Sequence, residues 1–533
     1  MELLLLLLLM ILGAPARSLP LLPFHPRDVL PALPHGIAWP TLNRLHNAVD
    51  LLPEFVAAVS SPSDRNLSSW KGACFYKNEA WLEFTEPKEA NSSGGGILYI
   101  KTSNAHSWTC MDLYIFATPY RVTWDYYFIG RTHTMEIKEW QEGELDYVSE
   151  KLIRKMLTVL FQVKDKGISV FLMKAGMLGT LMALWDVLPI FSNTGWGQDA
   201  NIEFLKRHMK TKFVERPQSL SNFSTDDIQS GDFLALSKIR GRWGGFETLE
   251  KWVTGAYAGH TAFALRDEQG KLWVGESGHE NKEGQEIIAV LTWDDWWKQQ
   301  LADDANPHIV VLPLSSAMRE KFNLTAAWEY ARSMDGKPYG YHNMIFSWID
   351  TPVDNYPPQL DSNLVASVLT VWTRLQPEYA ANMWNEALNK RLDTQGLDLP
   401  GVMREAEHRG IPFEELLAIP EKDDWIYSDG KSTSCVAFVL QMYKEAGLFG
   451  ELASSIQVTE FTIRDAYMLS FFEKNSSRLP KWCNAHDDPP LPFCQILGTY
   501  RMELPDYNTL VPYASMDERC PSVPPDYYRP SGC

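Results

Sequence analysis

The sequence predicts an α+β protein with more than one domain, on three observations. At 533 residues the chain is longer than a single hydrophobic core usually supports. Its first third contains aromatic and β-branched runs separated by turns, whereas its second half mixes short strands with apolar helices. Its composition, 45% hydrophobic and 22% charged residues, is that of a globular protein.

The N-terminus predicts a signal peptide over residues 1–18. Met1–Gly13 is almost entirely apolar, and small residues typical of a cleavage site follow it. The run is too short to span a bilayer. We therefore expect the chain to enter the secretory pathway, towards the extracellular space or a vacuolar or lysosomal lumen. Five sequons would then be glycosylation sites, at Asn66, Asn91, Asn222, Asn323 and Asn475.

The next three segments lead up to the second half of the chain. Residues 19–65 are rich in proline and leucine and predict a linker or pro-segment, and residues 66–145 predict a small β-rich domain. Residues 146–215 predict a helical segment. Its apolar run Val170–Trp185 is interpreted as a buried helix rather than a membrane span, because Lys174 and two glycines interrupt it. We expect no transmembrane span.

A second domain is predicted over residues 220–475, after a boundary between Arg216 and Ser224. Long helical periodicity indicates an insertion at residues 344–430, which would form a wall or cover of the site. Residues 476–533 are rich in proline and cysteine and predict a disulfide-rich tail with little regular structure.

The seven cysteines are an odd number, so in an oxidising compartment six can pair and one remains. Proximity along the chain favours three disulfides, although six cysteines allow many other pairings. The favoured pairs are Cys74–Cys110, Cys483–Cys494 and Cys520–Cys533. Cys435 is then left without a partner.

The charge and the motifs exclude several classes of function. A formal net charge of -18 argues against a nucleic-acid partner, because phosphate backbones require basic patches. His279-Glu280 lacks the second histidine of a zinc-binding helix, and no Cys-x-x-Cys pair occurs. The glycines around Trp243 do not match a phosphate-binding loop. We predict neither a metal nor an organic cofactor.

Two runs in the second domain predict a β-hairpin. Ala258–Leu265 and Lys271–Gly278 flank a glycine-bearing loop. A three-residue loop that ends in a left-handed glycine would place Ala262 opposite Glu276, and His260 would then share a face with Glu276. A two-residue loop would place the two polar side chains on opposite faces.

The stretch Lys431–Cys435 runs into the apolar Val436–Tyr443 and predicts a buried helix that stops at Gly447. Cys435 would lie in its first turn, where free N–H groups and the helix dipole favour a thiolate. A lone cysteine on an apolar helix is more often a core residue. A nucleophile also needs a base, for which His260 is the best placed histidine, and Glu276 could orient that base.

Other side chains compete for these roles. His279 and His342 are alternative bases. Ser277, in Gly275–His279, only partly matches a serine-hydrolase elbow because the second glycine comes one place early. An aromatic cluster indicates either a binding rim or packing, and consists of Trp293, Trp296 and Trp297.

Five short motifs follow one another in the second half of the chain. They are Ser-Gly-Asp-Phe-Leu, Gly-His-Thr at the start of a strand, a strand that ends in Glu-Ser-Gly, Pro-Tyr-Gly-Tyr, and Thr-Ser-Cys-Val-Ala-Phe-Val on a helix. This order resembles the circularly permuted NlpC-type branch of the papain-like thiol hydrolases, in which histidine precedes cysteine. The similarity covers roughly residues 225–475. The whole chain also resembles a family of large secreted plant-type proteins of unknown role.

The resemblance implies a papain-like core between the N-terminal β-rich and helical part and the disulfide-rich tail. It implies Cys435 as nucleophile, His260 as base and Glu276 as the third polar group. The N–H of Cys435 would supply part of an oxyanion hole, and Tyr339 or Tyr341 would bind substrate. The chain departs from the family in its Ser-Cys-Val sequence, where Cys-Ser is commoner, and in its long insertion before the cysteine.

The implied activity is that of a secreted or vacuolar cysteine hydrolase, which cleaves an amide, isopeptide or ester bond through an acyl-thioester intermediate. Its substrate would be a peptide, a cell-wall component or an acyl lipid. Two alternatives are a lipid acyltransferase that uses the same Cys435 and His260, and a catalytically inactive papain-like binding or structural glycoprotein.

Overall fold

A computed structural model describes most of the second half of the chain and the strands of the first. The described residues are 53–60, 69–86, 94–105, 112–118, 121–127, 130–138, 140, 163–164, 167–173, 187–216, 223–349, 366, 369, 384–417, 419, 421–428, 430–475, 478–480, 482–483, 489–514 and 516. Several predicted features lie outside them, namely the signal peptide, the sequons at Asn66, Asn91 and Asn222, and the cysteines Cys110, Cys520 and Cys533. The chain divides into two compact units at Trp185/Asp186, and the first also includes Leu360–Ala381.

The first unit contains two four-stranded antiparallel sheets. The first sheet has the order β1 (Pro53–Val59), β8 (Ile168–Met173), β5 (Asp112–Thr118), β6 (Arg121–Tyr127). The second has the order β2 (Ser69–Trp70), β3 (Phe75–Thr85), β4 (Gly95–Ala105), β7 (Thr132–Ile137). Buried side chains from both sheets form one core, to which Leu82, Leu98, Phe116 and Val170 belong.

These sheets extend beyond the predicted β-rich segment 66–145. Strand β1 lies in the predicted linker 19–65, and β8 lies in the predicted helical segment 146–215. The prediction of a helix was therefore wrong for Val170–Met173. Strand β8 is buried at every position between two neighbouring strands, so it lacks the alternation that distinguishes a strand from a buried helix.

The second unit is built on a six-stranded antiparallel sheet. Its order is β12 (Glu286–Thr292), β11 (Leu272–Glu280), β10 (His260–Arg266), β9 (Phe233–Ser237), β13 (His308–Leu312), β14 (Cys494–Leu497). Successive strand residues contribute to different cores: Phe263 packs with the helix that follows Ser434, whereas Ala262 and Ala264 pack with Trp296. The sheet is therefore covered on both faces.

Eleven α-helices fall within the described residues of this unit. They are α1 (Gly195–Met209), α2 (Gly241–Thr254), α3 (Trp293–Ala302), α4 (Ser316–Lys321), α5 (Leu324–Met334), α6 (Tyr341–Ile349), α7 (Glu386–Arg391), α8 (Leu399–His408), α9 (Phe413–Leu417), α10 (Cys435–Glu445) and α11 (Ile463–Met468). Among the described residues, none of the helices combines the length and the apolar character that crossing a membrane requires.

Helix α10 is the central helix of the second unit. Its residues Cys435–Tyr443 are all buried, because the helix contacts β10, β11, α5 and α11. The ring of Phe438 lies 5.1 Å from that of Phe263 on β10 and 5.7 Å from that of Tyr330 on α5. Burial of such a ring contributes about 1.5–3 kcal/mol to stability, so these contacts fix α10 firmly against the sheet.

The limits of the second unit differ from those that the sequence predicts. The unit begins at Asp186, before the predicted boundary at 216–224, and Phe204 of α1 makes an edge-to-face contact with Trp252 of α2. The predicted tail 476–533 supplies the edge strand β14, so it does contain regular structure. Both segments join partners that are distant along the chain, and local patterns carry no signal for such pairing.

The remaining predictions about the fold have mixed outcomes. The α+β class with antiparallel sheets is confirmed. The disulfide Cys483–Cys494 is present with a Cα–Cα distance of 5.0 Å, and Cys74 is also disulfide-bonded. Within the described part of the predicted insertion 344–430, the helices are the end of α6 and α7, α8 and α9.

Candidate active site

Cys435 is the first residue of α10. Ser434 precedes it in an extended conformation, φ -69° and ψ 169°, and Gly447 follows the end of the helix at φ +84°. The predicted start and stop are thus confirmed, although the Ser434 side chain makes no capping hydrogen bond. The Cys435 thiol is free and, at 4% exposed, buried in the main core at the positive end of the helix dipole.

The hairpin β10–β11 has the register that the three-residue loop predicts. Ala262 pairs with Glu276, and the loop ends at Gly270 with φ +77°. His260 and Glu276 therefore share a face, and His260 Nε2 lies 3.4 Å from Glu276 Oε2. Loop length alone brings a potential base and its orienting carboxylate together.

His260 also contacts the nucleophile. Interaction with the Cys435 thiol raises the pKa of His260, and interactions with His260 and Thr261 lower the pKa of Cys435, so the two side chains are close neighbours. Because Nε2 faces Glu276, Nδ1 is the ring nitrogen left for the sulfur. The three predicted residues Cys435, His260 and Glu276 thus form a continuous chain of contacts.

The electrostatics of this chain favour a thiolate–imidazolium pair. Burial disfavours the cation at His260, but its hydrogen bonds to Cys435 and Glu276 prevail and raise the pKa of His260 to about 10. Burial likewise disfavours the thiolate, but the hydrogen bond and positive charge of His260 prevail and lower the pKa of Cys435. Both shifts favour transfer of the thiol proton to His260.

Glu276 is held as an anion by three donors. Burial raises its pKa, but hydrogen bonds from His260, His279 and Trp296 outweigh burial and lower that pKa. His279 Nδ1 lies 3.2 Å from Oε1, and Trp296 Nε1–H donates to Oε2 over 3.1 Å. A fixed, ionised Glu276 can orient the imidazole and stabilise its positive charge.

A β-bulge places His279 beside Glu276. The register of β11 with β12 shifts between Ser277 and His279, where Gly278 adopts φ +112°. Without the bulge, residues 276 and 279 would point to opposite faces of the sheet. His279, a competing candidate for the base, therefore contacts the carboxylate.

His342 and Ser277, the other two alternatives, contact groups other than Cys435 and Glu276. His342 Nε2 lies 3.2 Å from the buried Glu421 carboxylate. The Ser277 hydroxyl is buried and donates to the Thr433 carbonyl over 2.6 Å. Neither arrangement is that of a catalytic base or a serine nucleophile, since each side chain is engaged with a buried partner.

Of the two tyrosines that the family resemblance implies, Tyr339 contacts the nucleophile directly. Interaction with the Cys435 backbone lowers the pKa of Tyr339, and its ring stands edge-on to that of Tyr341, 4.7 Å away between centroids. Burial, followed by the charges of Cys435 and Glu250, raises the pKa of Tyr339 well above its usual value. Its hydroxyl thus keeps its proton beside the sulfur.

Two carboxyl groups near the pair were not predicted. Burial and then the charge of Cys435 raise the pKa of Glu250 well above its usual value. Burial also raises the pKa of Glu286 to about 7, although the Tyr341 hydroxyl donates a hydrogen bond to it. Both residues lie far from Cys435 in sequence, on α2 and β12, and no local motif marks them.

Trp296 was predicted only as part of an aromatic cluster that is either a binding rim or packing. Its indole is fully buried and packs at a tilt against the neighbouring Trp293 and Trp297, and Phe223 packs against the same core. Its N–H, however, is directed at Glu276. The only signal in the sequence was a tryptophan one turn into the helix that follows the strand paired with β11.

Replacing Trp296 with phenylalanine tests this contact. An aromatic ring remains at this position, but Glu276 loses one of three donors. We therefore expect Glu276 to stabilise the His260 cation less. Alkylation of Cys435 by iodoacetamide near pH 6 should fall about threefold to tenfold, the effect of a typical hydrogen bond of about 0.5–1.5 kcal/mol. Trp293→Phe is the matched control, and an equal loss in that variant would show that packing alone is responsible.

The described glycosylation candidates are on the surface. Asn323 and Asn475 are both exposed, as glycan attachment requires. The Asn323 side chain also accepts a hydrogen bond from the Ala326 N–H as the cap of α5.

Comparison of the chain with protein-family models, with curated proteins and with solved structures finds no match. The function must therefore be argued from the geometry of the site.

Proposed function

We propose that the protein is a papain-like cysteine hydrolase of the secretory pathway, which cleaves an amide, isopeptide or ester bond through an acyl-thioester intermediate. The observation that carries the proposal is the chain of contacts from the Cys435 thiol through His260 to Glu276. The order of these residues and the central helix on an antiparallel sheet support a circularly permuted NlpC-type core.

In the proposed reaction the Cys435 thiolate attacks the carbonyl carbon of the substrate. His260 then gives its proton to the leaving nitrogen or oxygen, so the bond to the leaving group breaks and a thioester remains. Water, deprotonated by the now neutral His260, attacks the thioester and releases a carboxylic acid. The sulfur leaves as a thiolate, and His260 is again protonated.

The negative charge on the carbonyl oxygen would be stabilised by two groups beside the sulfur. One is the N–H of Cys435 and the other is the hydroxyl of Tyr339, which lies against it. That hydroxyl also lies 3.8 Å from the weak acceptor Met344 Sδ, so its proton is available to a stronger acceptor. Tyr341, packed on Tyr339, would line the same opening.

The pH dependence of labelling tests the proposal. As the pH rises, the thiolate forms at the lowered pKa of Cys435, and the imidazolium persists until the pH passes about 10. We expect iodoacetamide to label Cys435 in the folded full chain with a pH profile shifted to lower pH than that of an ordinary thiol. An ordinary thiol, with a pKa of about 8.5, is only roughly 3% ionised at about pH 7.

The ultraviolet absorbance of the thiolate provides a readout that does not depend on access. Its difference between the wild type and Cys435→Ala should persist below pH 7. A thiolate signal and a labelling rate that both follow an ordinary thiol would contradict the hydrolase. They would favour a binding or structural glycoprotein instead.

A screen of substrates would identify the class of acyl donor and the acceptor of the acyl group. Peptides, cell-wall fragments and acyl lipids should be tested as acyl donors, with and without an added alcohol or amine. Release of free acid identifies a hydrolase, whereas transfer to the added acceptor identifies an acyltransferase. The Cys483–Cys494 disulfide supports the proposed oxidising compartment.

A further inference from the structure

The peptide group that precedes the nucleophile is held at both of its polar atoms. The Thr433 carbonyl accepts from the Ser277 hydroxyl over 2.6 Å and from the Gly340 N–H over 2.9 Å. The Ser434 N–H donates to Asn343 Oδ1 over 3.1 Å. These contacts come from β11 and from the start of α6, which are separate elements of the second unit.

The orientation of the Asn343 amide is fixed from its other end. Its Nδ2 donates to Glu421 Oε1 over 2.6 Å. Glu421 is buried, and it also accepts from the Tyr427 hydroxyl over 2.9 Å and lies 3.2 Å from His342 Nε2. Because the amide nitrogen must face this carboxylate, the amide oxygen faces the Ser434 N–H.

The surroundings of Glu421 favour its ionised form. Burial raises its pKa, but interaction with the nearby His342 and the charge of Arg391 prevail and lower it. An ionised Glu421 can only accept hydrogen bonds, so it allows no second orientation of Asn343.

Gly340 permits the close approach of the two segments. A Cβ atom there would lie 2.5 Å from the carbonyl carbon of Thr433 and 2.6 Å from Asn343 Oδ1. Any larger residue would push the peptide away from its partners. This contact accounts for the glycine in the motif Pro338–Tyr341.

We propose that Ser277 and Asn343 are positioning residues for the nucleophile. They hold the Thr433–Ser434 peptide so that α10 starts with the Cys435 sulfur against His260. The inference rests on the proposed function, because it concerns the same cysteine. A shift of about 1 Å in a reacting group can cost roughly a hundredfold in rate, so a rigid peptide one residue before the nucleophile has a large effect.

The test compares Ser277→Ala and Asn343→Ala with the wild-type full chain. Iodoacetamide labelling of Cys435 is measured by mass spectrometry from about pH 5.5 to 10. A sulfur that drifts from His260 loses its thiolate at low pH but regains it in alkali, as any thiol does. We therefore expect labelling to slow about tenfold near pH 6 and to approach the wild-type rate near pH 10.

Asn201→Ala is the matched control for a lost buried amide. Asn201 is fully buried on α1, and its Nδ2 donates to the carbonyls of Ile190 and Gly197 over 2.7 and 2.8 Å. The variant should lower Tm but leave the labelling profile unchanged. Circular dichroism and Tm show which variants are folded. If Asn343→Ala does not fold, Ser277→Ala, which removes a single oxygen atom, provides the test.

The outcomes separate the inference from the proposed function. If the wild type is labelled rapidly at pH 6 and both folded variants follow the same profile, the positioning role is wrong and the hydrolase stands. If the wild-type thiol is itself unreactive and not ionised at pH 7, both proposals are overturned. A loss confined to low pH in the two variants, and absent from Asn201→Ala, supports the positioning role.

Discussion

Replacing His260 with alanine should slow the alkylation of Cys435 near pH 6 by about a hundredfold or more. The cation and its hydrogen bond are what lower the pKa of the buried thiol, and burial alone would raise it. Without His260 that pKa should lie at or above its ordinary value of about 8.5, where roughly 0.3% of the thiol is ionised at pH 6. The measurement is the rate of iodoacetamide incorporation by mass spectrometry of the full chain.

His279→Ala is the control for this prediction. It removes an imidazole that contacts Glu276 Oε1 but leaves the side chain that contacts the sulfur. We expect a reduction of about tenfold at most, since two of the three donors to Glu276 remain. Equal losses in the two variants would show that the ionisation of Cys435 does not depend on its direct contact with His260.

Replacing Cys435 with alanine should abolish acyl transfer, because the proposed thioester forms on its sulfur. With a p-nitrophenyl ester as a general probe of nucleophilic thiols, the wild type should release a burst of nitrophenolate and carry an acyl group at Cys435 after an acid quench. Turnover should fall at least about a thousandfold in the variant, as it does when a covalent nucleophile is removed.

The fold should tolerate this change, which makes the loss of activity interpretable. Cys435 lies at the first position of α10, and alanine is a good helix former that fills most of the same space. Tm of the variant should therefore stay close to that of the wild type. A burst of undiminished size in Cys435→Ala would place the nucleophile elsewhere and overturn the proposed mechanism.

The site combines groups that must stay charged with groups that must stay neutral. Hydrogen bonds from three donors outweigh burial and lower the pKa of Glu276, whereas burial and then the charge of Cys435 raise the pKa values of Glu250 and Tyr339 well above their usual values. Burial also leaves Glu286 with a pKa of about 7. Its charge, beside the Tyr341 hydroxyl, would change across the range between a neutral and an acidic compartment.

Several features of the site followed from the sequence because local rules govern them. The loop with Gly270 sets the register of the hairpin, and the register places His260 beside Glu276. The polar residues before an apolar run, with Gly447 after it, mark the limits of the helix that Cys435 begins. In each case the deciding interactions lie within a few residues of one another, so the sequence pattern records them directly.

Other features depend on contacts between distant segments, and only the tertiary structure decided them. Strands β1, β8 and β14 pair with partners far along the chain, and β8 in the centre of a sheet shows no alternation. The indole of Trp296 meets Glu276, and Asn343 meets Ser434, through packing of separate elements. Side chains such as these have no periodicity or spacing of their own, because their role arises from the position of a backbone group or a carboxylate elsewhere in the fold. The sequence by itself therefore determined which residues could react, and the packed structure determined what holds them in place.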